Sequence, residues 1–214
     1  NRMDNLDDNL QYLSPYNYYQ ENVPQNSNVW SGKIEYRQNA GKNQWTAGVD
    51  SYYSKIDNKD TFMQGTDDGY VNDEEQSNHF ALQEWTSAFF VSWEREWNSR
   101  FSTRLGSRLE YTNYTTRQYT LGEKTETDFV RVLPNLYISY HLSPDHVFSY
   151  IFSNRMERPV FSLFNPFKVY TSATSYTTGN EKLEPEIMYG QTFQYQFFKR
   201  YIFHHCVQPL TFST

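Results

Sequence analysis

Residues 100–112, RFSTRLGSRLEYT, decide how this chain is read. The odd positions are Phe101, Thr103, Leu105, Ser107, Leu109 and Tyr111; the even ones are Ser102, Arg104, Gly106, Arg108, Glu110 and Thr112. Successive side chains of a β-strand point to opposite faces, so this is a strand with one largely apolar and one almost wholly polar face. Working outward, the same split recurs. Trp85, Phe89, Val91, Trp93 and Trp97 oppose Glu84, Thr86, Ser92, Glu94 and Glu96, with Phe90 and Arg95 as exceptions. Leu136, Ile138, Tyr140 and Leu142 oppose Asn135, Tyr137, Ser139 and His141, and Phe148, Tyr150 and Phe152 oppose Ser149 and Ser153. Tyr189, Phe193, Tyr195 and Phe197 oppose Gly190, Thr192, Gln194 and Gln196.

Read this way, the chain has about seven strands, near 29–37, 45–56, 81–96, 100–116, 129–142, 147–155 and 186–200. Their connections alternate in length. Residues 38–44, the turn at Asn98 and Ser99, and residues 143–146 are short, whereas 57–80, 117–128 and 156–185 are long. Residues 1–28, rich in Asn, Gln, Asp and Tyr, are expected to be an irregular, loop-like segment. Residues 29–200 are expected to be the β segment, and 201–214, interrupted by Pro209, an uncertain tail. The expected fold class is all-β: an antiparallel up-and-down meander, whose asymmetric connections suit part of a large transmembrane β-barrel with short turns on one side of the membrane and longer loops on the other.

Composition supports that class. Aromatics make up 19% of 214 residues, yet the mean hydropathy is -0.84. Membrane strands reconcile these values, because only alternate residues face lipid, whereas a membrane helix needs about 20 consecutive apolar residues. Trp45, Trp97, Tyr111, Tyr140 and Tyr189 lie near strand ends, where amphipathic rings suit a membrane interface. Period alone does not separate this reading from a soluble β-sandwich that binds carbohydrate through exposed rings, since polar-in and polar-out give the same string. The net charge of -6 with scattered basic residues disfavours nucleic acid. The single cysteine, Cys206, excludes an internal disulfide framework. The basic-then-apolar pattern of a signal peptide is missing from residues 1–10, as expected of a mature or truncated chain.

Further motifs sit in order along the second half. They are Arg108-Leu109-Glu110-Tyr111-Thr112, Leu133-Pro134-Asn135, Ser153-Asn154-Arg155, Arg158-Pro159, Leu163-Phe164-Asn165-Pro166-Phe167, and Gly179-Asn180-Glu181-Lys182-Leu183-Glu184-Pro185-Glu186. This series resembles the outer-membrane β-barrel family related to TonB-dependent receptors, in which the loop reads R-P, then L-N-P-F, then G-N-x-x-L-x-P-E. Phe164 departs from that pattern by intruding before Asn165-Pro166, and Glu157 stands where a Ser or Thr is commoner. The resemblance implies the bacterial outer membrane, uptake of a scarce nutrient, contact with outer-membrane lipid, and a TonB-type energy-coupling protein acting through a segment upstream of Asn1. It also implies that this chain is about a third of a barrel of about 22 strands. A structural or adhesive barrel of the same fold is the alternative.

In barrel terms Arg104, Arg108 and Glu110, with Glu94 and Glu96, are lumen-facing candidates for ion pairs across neighbouring strands. The motif loop carries Arg158, Pro159, Asn165, Pro166, Phe167, Gly179, Asn180, Leu183 and Pro185, either as a ligand-facing lid or as turn formers that fold the loop back on the rim. Asp57, Asp60, Asp67, Asp68, Asp73, Glu74 and Glu75 supply oxygens enough for calcium but lack EF-hand spacing, so a hydrated acidic loop is expected. His79, His141, His146, His204 and His205 come with neither a Gly-x-Ser-x-Gly elbow nor a zincin helix. His204 and Cys206 would share a strand face that His205 does not, and two ligands make a weak site. No catalytic residue, metal or cofactor is expected.

Overall fold

A computed structural model describes residues 2, 3, 17–66, 69–172, 175–198 and 201–207. Thirteen strands and one helical turn follow one another among them. They are β1 (Arg2–Met3), β2 (Asn17–Asn22), β3 (Gln25–Ala40), β4 (Asn43–Thr66), β5 (Gly69–Asn72), β6 (Asn78–Glu96), β7 (Phe101–Gln118), β8 (Glu123–Ser143), β9 (His146–Glu157), α1 (Phe161–Phe164), β10 (Val169–Ser172), β11 (Ser175–Thr177), β12 (Glu186–Phe197) and β13 (Tyr201–Val207). Consecutive long strands pair antiparallel in the order β3, β4, β6, β7, β8, β9, β12, β13, which is a meander; β10 and β11 form a separate hairpin.

The turns explain the register. At one end Ala40 pairs with Asn43, Glu96 with Ser102, Ser143 with His146 and Phe197 with Tyr201. Gly41 bends the first of these at φ 62, a conformation that costs glycine little. Asn98 closes the second by accepting the Arg100 and Phe101 amides at 2.8 and 2.9 Å. The long connection between Glu157 of β9 and Glu186 of β12 lies at the opposite end.

The decisive feature is that the sheet is apolar on its open face and polar on its covered face. One row of register partners, Ile34, Val49, Phe89, Leu109 and Val132, is 73, 48, 50, 47 and 60% exposed. On the other face Thr86, Glu110 and Thr112 are 2, 3 and 0% exposed. A soluble sandwich buries the first set and wets the second, so the carbohydrate-binding sandwich is set aside. An apolar band one strand-crossing tall is what lipid requires: from Phe101 to Tyr111 the open face of β7 spans about the 9–11 residues that cross a bilayer at a tilt. Trp45, Trp97, Tyr111, Tyr140 and Tyr189 are all exposed on the sheet surface.

The strands are longer than their alternation suggests. The segment 57–80, expected to be a long loop, is mostly sheet: β4 runs on to Thr66 and is flanked by β5 on one side and by β2 on the other. Residues 117–128, read as a long loop, narrow to a turn at 119–122. Residues 17–22 and 25–28, expected to be irregular, are strand, and β13 pairs with β12 where an uncertain tail was expected. For the outer ends of the strands the reason is shared: beyond the lipid band the two faces no longer meet different surroundings as sharply, and the period-2 signal fades. Residues 208–214, including Pro209, lie outside the described residues, as do Asp67 and Asp68.

Candidate functional site

The polar face is not bare. After β9, residues 158–165 and 181–184 lie over β8, β7 and β6 on that face. Four apolar residues break the polar alternation at the outer ends of those strands, and they receive the segment: Phe80, Leu82, Tyr114 and Phe129. Phe164, 1% exposed, seats among them, with Phe161, Met156 and Leu183 around it. Ring centroids lie 5.2 Å apart for Tyr114 and Phe164, 5.2 Å for Phe80 and Phe161, and 5.8 Å for Tyr114 and Phe129, all tilted as aromatic pairs prefer. This is the hydrophobic core cluster of the described residues.

Polar contacts ring the cluster. Arg158 donates from Nε to Glu84 Oε1 at 2.9 Å and from Nη2 to Glu110 Oε1. The other carboxylate oxygen of Glu110 takes Arg108 Nη2 at 2.7 Å, and Arg108 in turn reaches Asp50 on β4 at 2.9 Å. The line Asp50, Arg108, Glu110, Arg158, Glu84 therefore ties β4, β7, the loop and β6 together. Glu110 is buried, and burial of a carboxylate is tolerable only with such partners. Farther out, Gln118 donates to Asn78 and to Asn165 at 2.8 and 2.9 Å. Glu181 accepts from Thr116 at 3.0 Å and from Thr125, and Arg131 pairs with Glu184.

The loop's own fold explains its motif residues. Asn165 Oδ1 accepts the Phe167 amide at 3.1 Å, and Thr178 donates to the Pro166 carbonyl at 2.8 Å. Gly179 and Asn180 donate their amides to the carbonyls of Asn165 and Leu163 at 2.8 and 2.7 Å, which pins the returning limb to α1. Asn180 Oδ1 then accepts the Lys182 amide at 3.0 Å. A Cβ at Gly179 would lie 2.7 Å from the Asn165 carbonyl oxygen and closer still to that of Leu163. Gly179→Ala is thus expected to cost about 1–3 kcal/mol of docking, as overpacking against backbone does. Trypsin cleavage at Lys168 and Lys182 should then quicken at least several-fold in the folded protein; cleavage at the native rate would show that the limb tolerates a methyl group.

Most of the residues singled out in the sequence converge here. Arg108, Glu110, Arg158, Asn165, Gly179, Asn180 and Leu183 meet, Pro185 is buried at the return to β12, and Pro159, Pro166 and Phe167 are half-buried within the loop. Arg104 does not join them; it pairs with its register partner Glu94 at 2.6 Å, nearer the short turns. No ion pair ties Glu96 into the network among the described residues; its amide bonds the Lys42 carbonyl. Sequence reasoning missed Asp50, Gln118 and Arg131, and the anchoring roles of Glu181 and Phe164. The available signal was the run of apolar residues at polar-face positions of the outer strands. In the acidic stretch Asp73 caps its own turn, accepting the Glu75 and Gln76 amides at 3.0 and 3.2 Å, and Asp57 meets His79 at 2.9 Å. No cluster of three metal-ligating side chains occurs among the described residues. The side chains of His204, His205 and Cys206 lie outside them.

Comparison with known proteins fits this geometry. Residues 1–208 match the model of the outer membrane protein beta-barrel family. The fold is similar to that of the ferric citrate transporter FecA in its unliganded form, with a TM-score of 0.58, 13% identity, and coverage of 84% of this chain and 26% of that one. It is also similar to the ferric yersiniabactin uptake receptor FyuA from Yersinia pestis, with a TM-score of 0.51, 14% identity, and coverage of 85% and 28%. The chain thus spans about a quarter of each of these structures. No curated protein sequence matches it.

Proposed function

Because this chain belongs to the outer membrane protein beta-barrel family and so to the bacterial outer membrane, we propose that it is the wall of a TonB-dependent receptor-like barrel that takes up a nutrient. The apolar face meets outer-membrane lipid and the polar face lines the lumen, so that Arg104, Arg108 and Glu110 face the passage. Residues 158–185 hang into that passage from the outer side. One observation carries this reading: the loop is seated by a buried aromatic cluster and an ion-pair line on the face opposite the exposed apolar band. A merely structural barrel gains nothing from an ordered segment across its bore, whereas a receptor needs a passage of defined shape.

The family is generally non-enzymatic, and we read this chain as a conduit and not a catalyst. A nutrient ligand would enter from the long-loop end, and a TonB-type protein would act through a segment outside residues 1–214. The test uses the full-length protein in its own outer membrane. It should survive carbonate and salt washes, and uptake of its nutrient should require the energy-coupling protein. Deleting residues 160–183 should leave the barrel in the membrane but raise its passive permeability to small hydrophilic solutes several-fold, without any need for energy coupling. Unchanged permeability would remove the loop from the passage, and release by the washes would overturn the whole reading.

A further inference from the structure

The wall carries a seam. Along its whole outer half β8 is paired to β7, from Gln118 opposite Glu123 down to Gly106 opposite Asn135. On its other side the ladder to β9 ends at Leu136 opposite Phe152. Beyond that point Ser153–Glu157 of β9 pair with β12 alone, so among the described residues no strand joins the β9-side edge of β8 from 123 to 135. Part of that edge lies at lipid depth, since Val132 shares the apolar row with Leu109 and Phe89 and is 60% exposed. Hydrocarbon offers backbone N–H and C=O groups no partner, so an open edge there is costly.

The segment that would close it is already present. Continuing the β8–β9 register upward places Asn154 opposite Pro134, Met156 opposite Val132 and Glu157 opposite Arg131. Met156 and Val132 would then pair on the lipid side, and Glu157 and Arg131 would pair as opposite charges on the polar side. In the structure these groups are engaged elsewhere: Met156 packs on the Phe80 cluster, Glu157 pairs with Arg155, and Arg131 pairs with Glu184. Asn154 keeps a buried amide oxygen that has no hydrogen-bond partner. Pro134 supplies the reason for two seats, because it has no N–H to give and leaves a missing rung just past the end of the ladder. Pairing that must jump a missing rung is either made beyond it or not made.

We propose that the outer end of β9 is a two-position strap, seated in the structure against the lumen-side cluster and able to zip onto the free edge of β8. Zipping draws Met156 out of the cluster and Arg131 away from Glu184, so it lifts residues 158–185 from the passage while it closes the wall. This inference rests on the reading of the polar face as the lumen.

Two cysteine pairs test it in the full-length protein, in a Cys206→Ser background and in carbonate-washed outer membranes. Thr125→Cys with Glu181→Cys reports the docked seat, and Val132→Cys with Met156→Cys reports the zipped one. Both pairs are expected to cross-link under mild oxidation. Cross-linking the second pair should expose Lys182 to trypsin at least tenfold faster, and reduction should reverse this. Completion of the first pair with no cross-link in the second would overturn the strap, as would a zipped cross-link that leaves Lys182 protected. Loss of the protein from washed membranes would instead overturn the lumen reading beneath it.

Discussion

Phe164→Ala should detach residues 158–185 from the sheet. Phe164 is 1% exposed and touches Tyr114 within a cluster drawn from β6, β7, β8 and the loop. Removing a buried phenyl ring costs about 3–5 kcal/mol, the sum of lost transfer energy and the cavity left behind. The strands themselves are held by continuous ladders, so the cheaper response is local: the loop leaves and the barrel stays. The expected result is trypsin cleavage at Lys168 and Lys182 accelerated by two or more orders of magnitude, together with increased solute permeability, in a protein that still resists extraction. Phe164→Leu should keep most of the docking, because an apolar side chain of similar bulk still fills the site. Native protection in the alanine variant would mean that the aromatic cluster is a passive contact.

Arg158→Ala should produce the same phenotype by a different route. Its guanidinium serves Glu84 and Glu110 together, and their side chains retain only 14 and 4% exposure. Without it two carboxylates remain buried on neighbouring strands, with Arg108 as the remaining cation beside Glu110. Breaking a buried pair costs about 3–5 kcal/mol; because Arg158 keeps about a third of its side chain in water, about 2–3 kcal/mol is expected here. Arg158→Lys should recover little, since an ammonium lacks the planar fork that meets two carboxylates at once. Adding Glu84→Gln and Glu110→Gln to Arg158→Ala should restore part of the protection by removing the stranded charge. If the triple variant is as loose as the single one, the arginine acts by bulk and not by charge.

Arg158 and Phe164 differ in how legible they were in the sequence. Arg158 stands in a motif whose order along the chain is visible, and its charge marked it. Phe164 looked like an intrusion into that motif, and only the seat formed by Phe80, Leu82, Tyr114 and Phe129 shows why an aromatic residue belongs there. Gly179 was visible as a turn former, while its tight fit against the Leu163 and Asn165 carbonyls was not. Glu94 and Arg104 were legible as a pair, because strands joined by a short turn set their own register. Asp50 and Arg108 were not, since they lie on strands separated by β6 and their meeting depends on how the sheet curves.

By itself the sequence determined the all-β meander of the main strands and which face of each is apolar, because period-2 alternation and short turns are local properties of the chain. Tertiary structure alone decided that the apolar face lies open and the polar face covered, how far the strands run beyond the lipid band, and where residues 158–185 come to rest. Those outcomes depend on contacts between residues far apart along the chain, such as Arg158 with Glu84 and Phe164 with Tyr114, and no local pattern encodes which distant partner a side chain will meet.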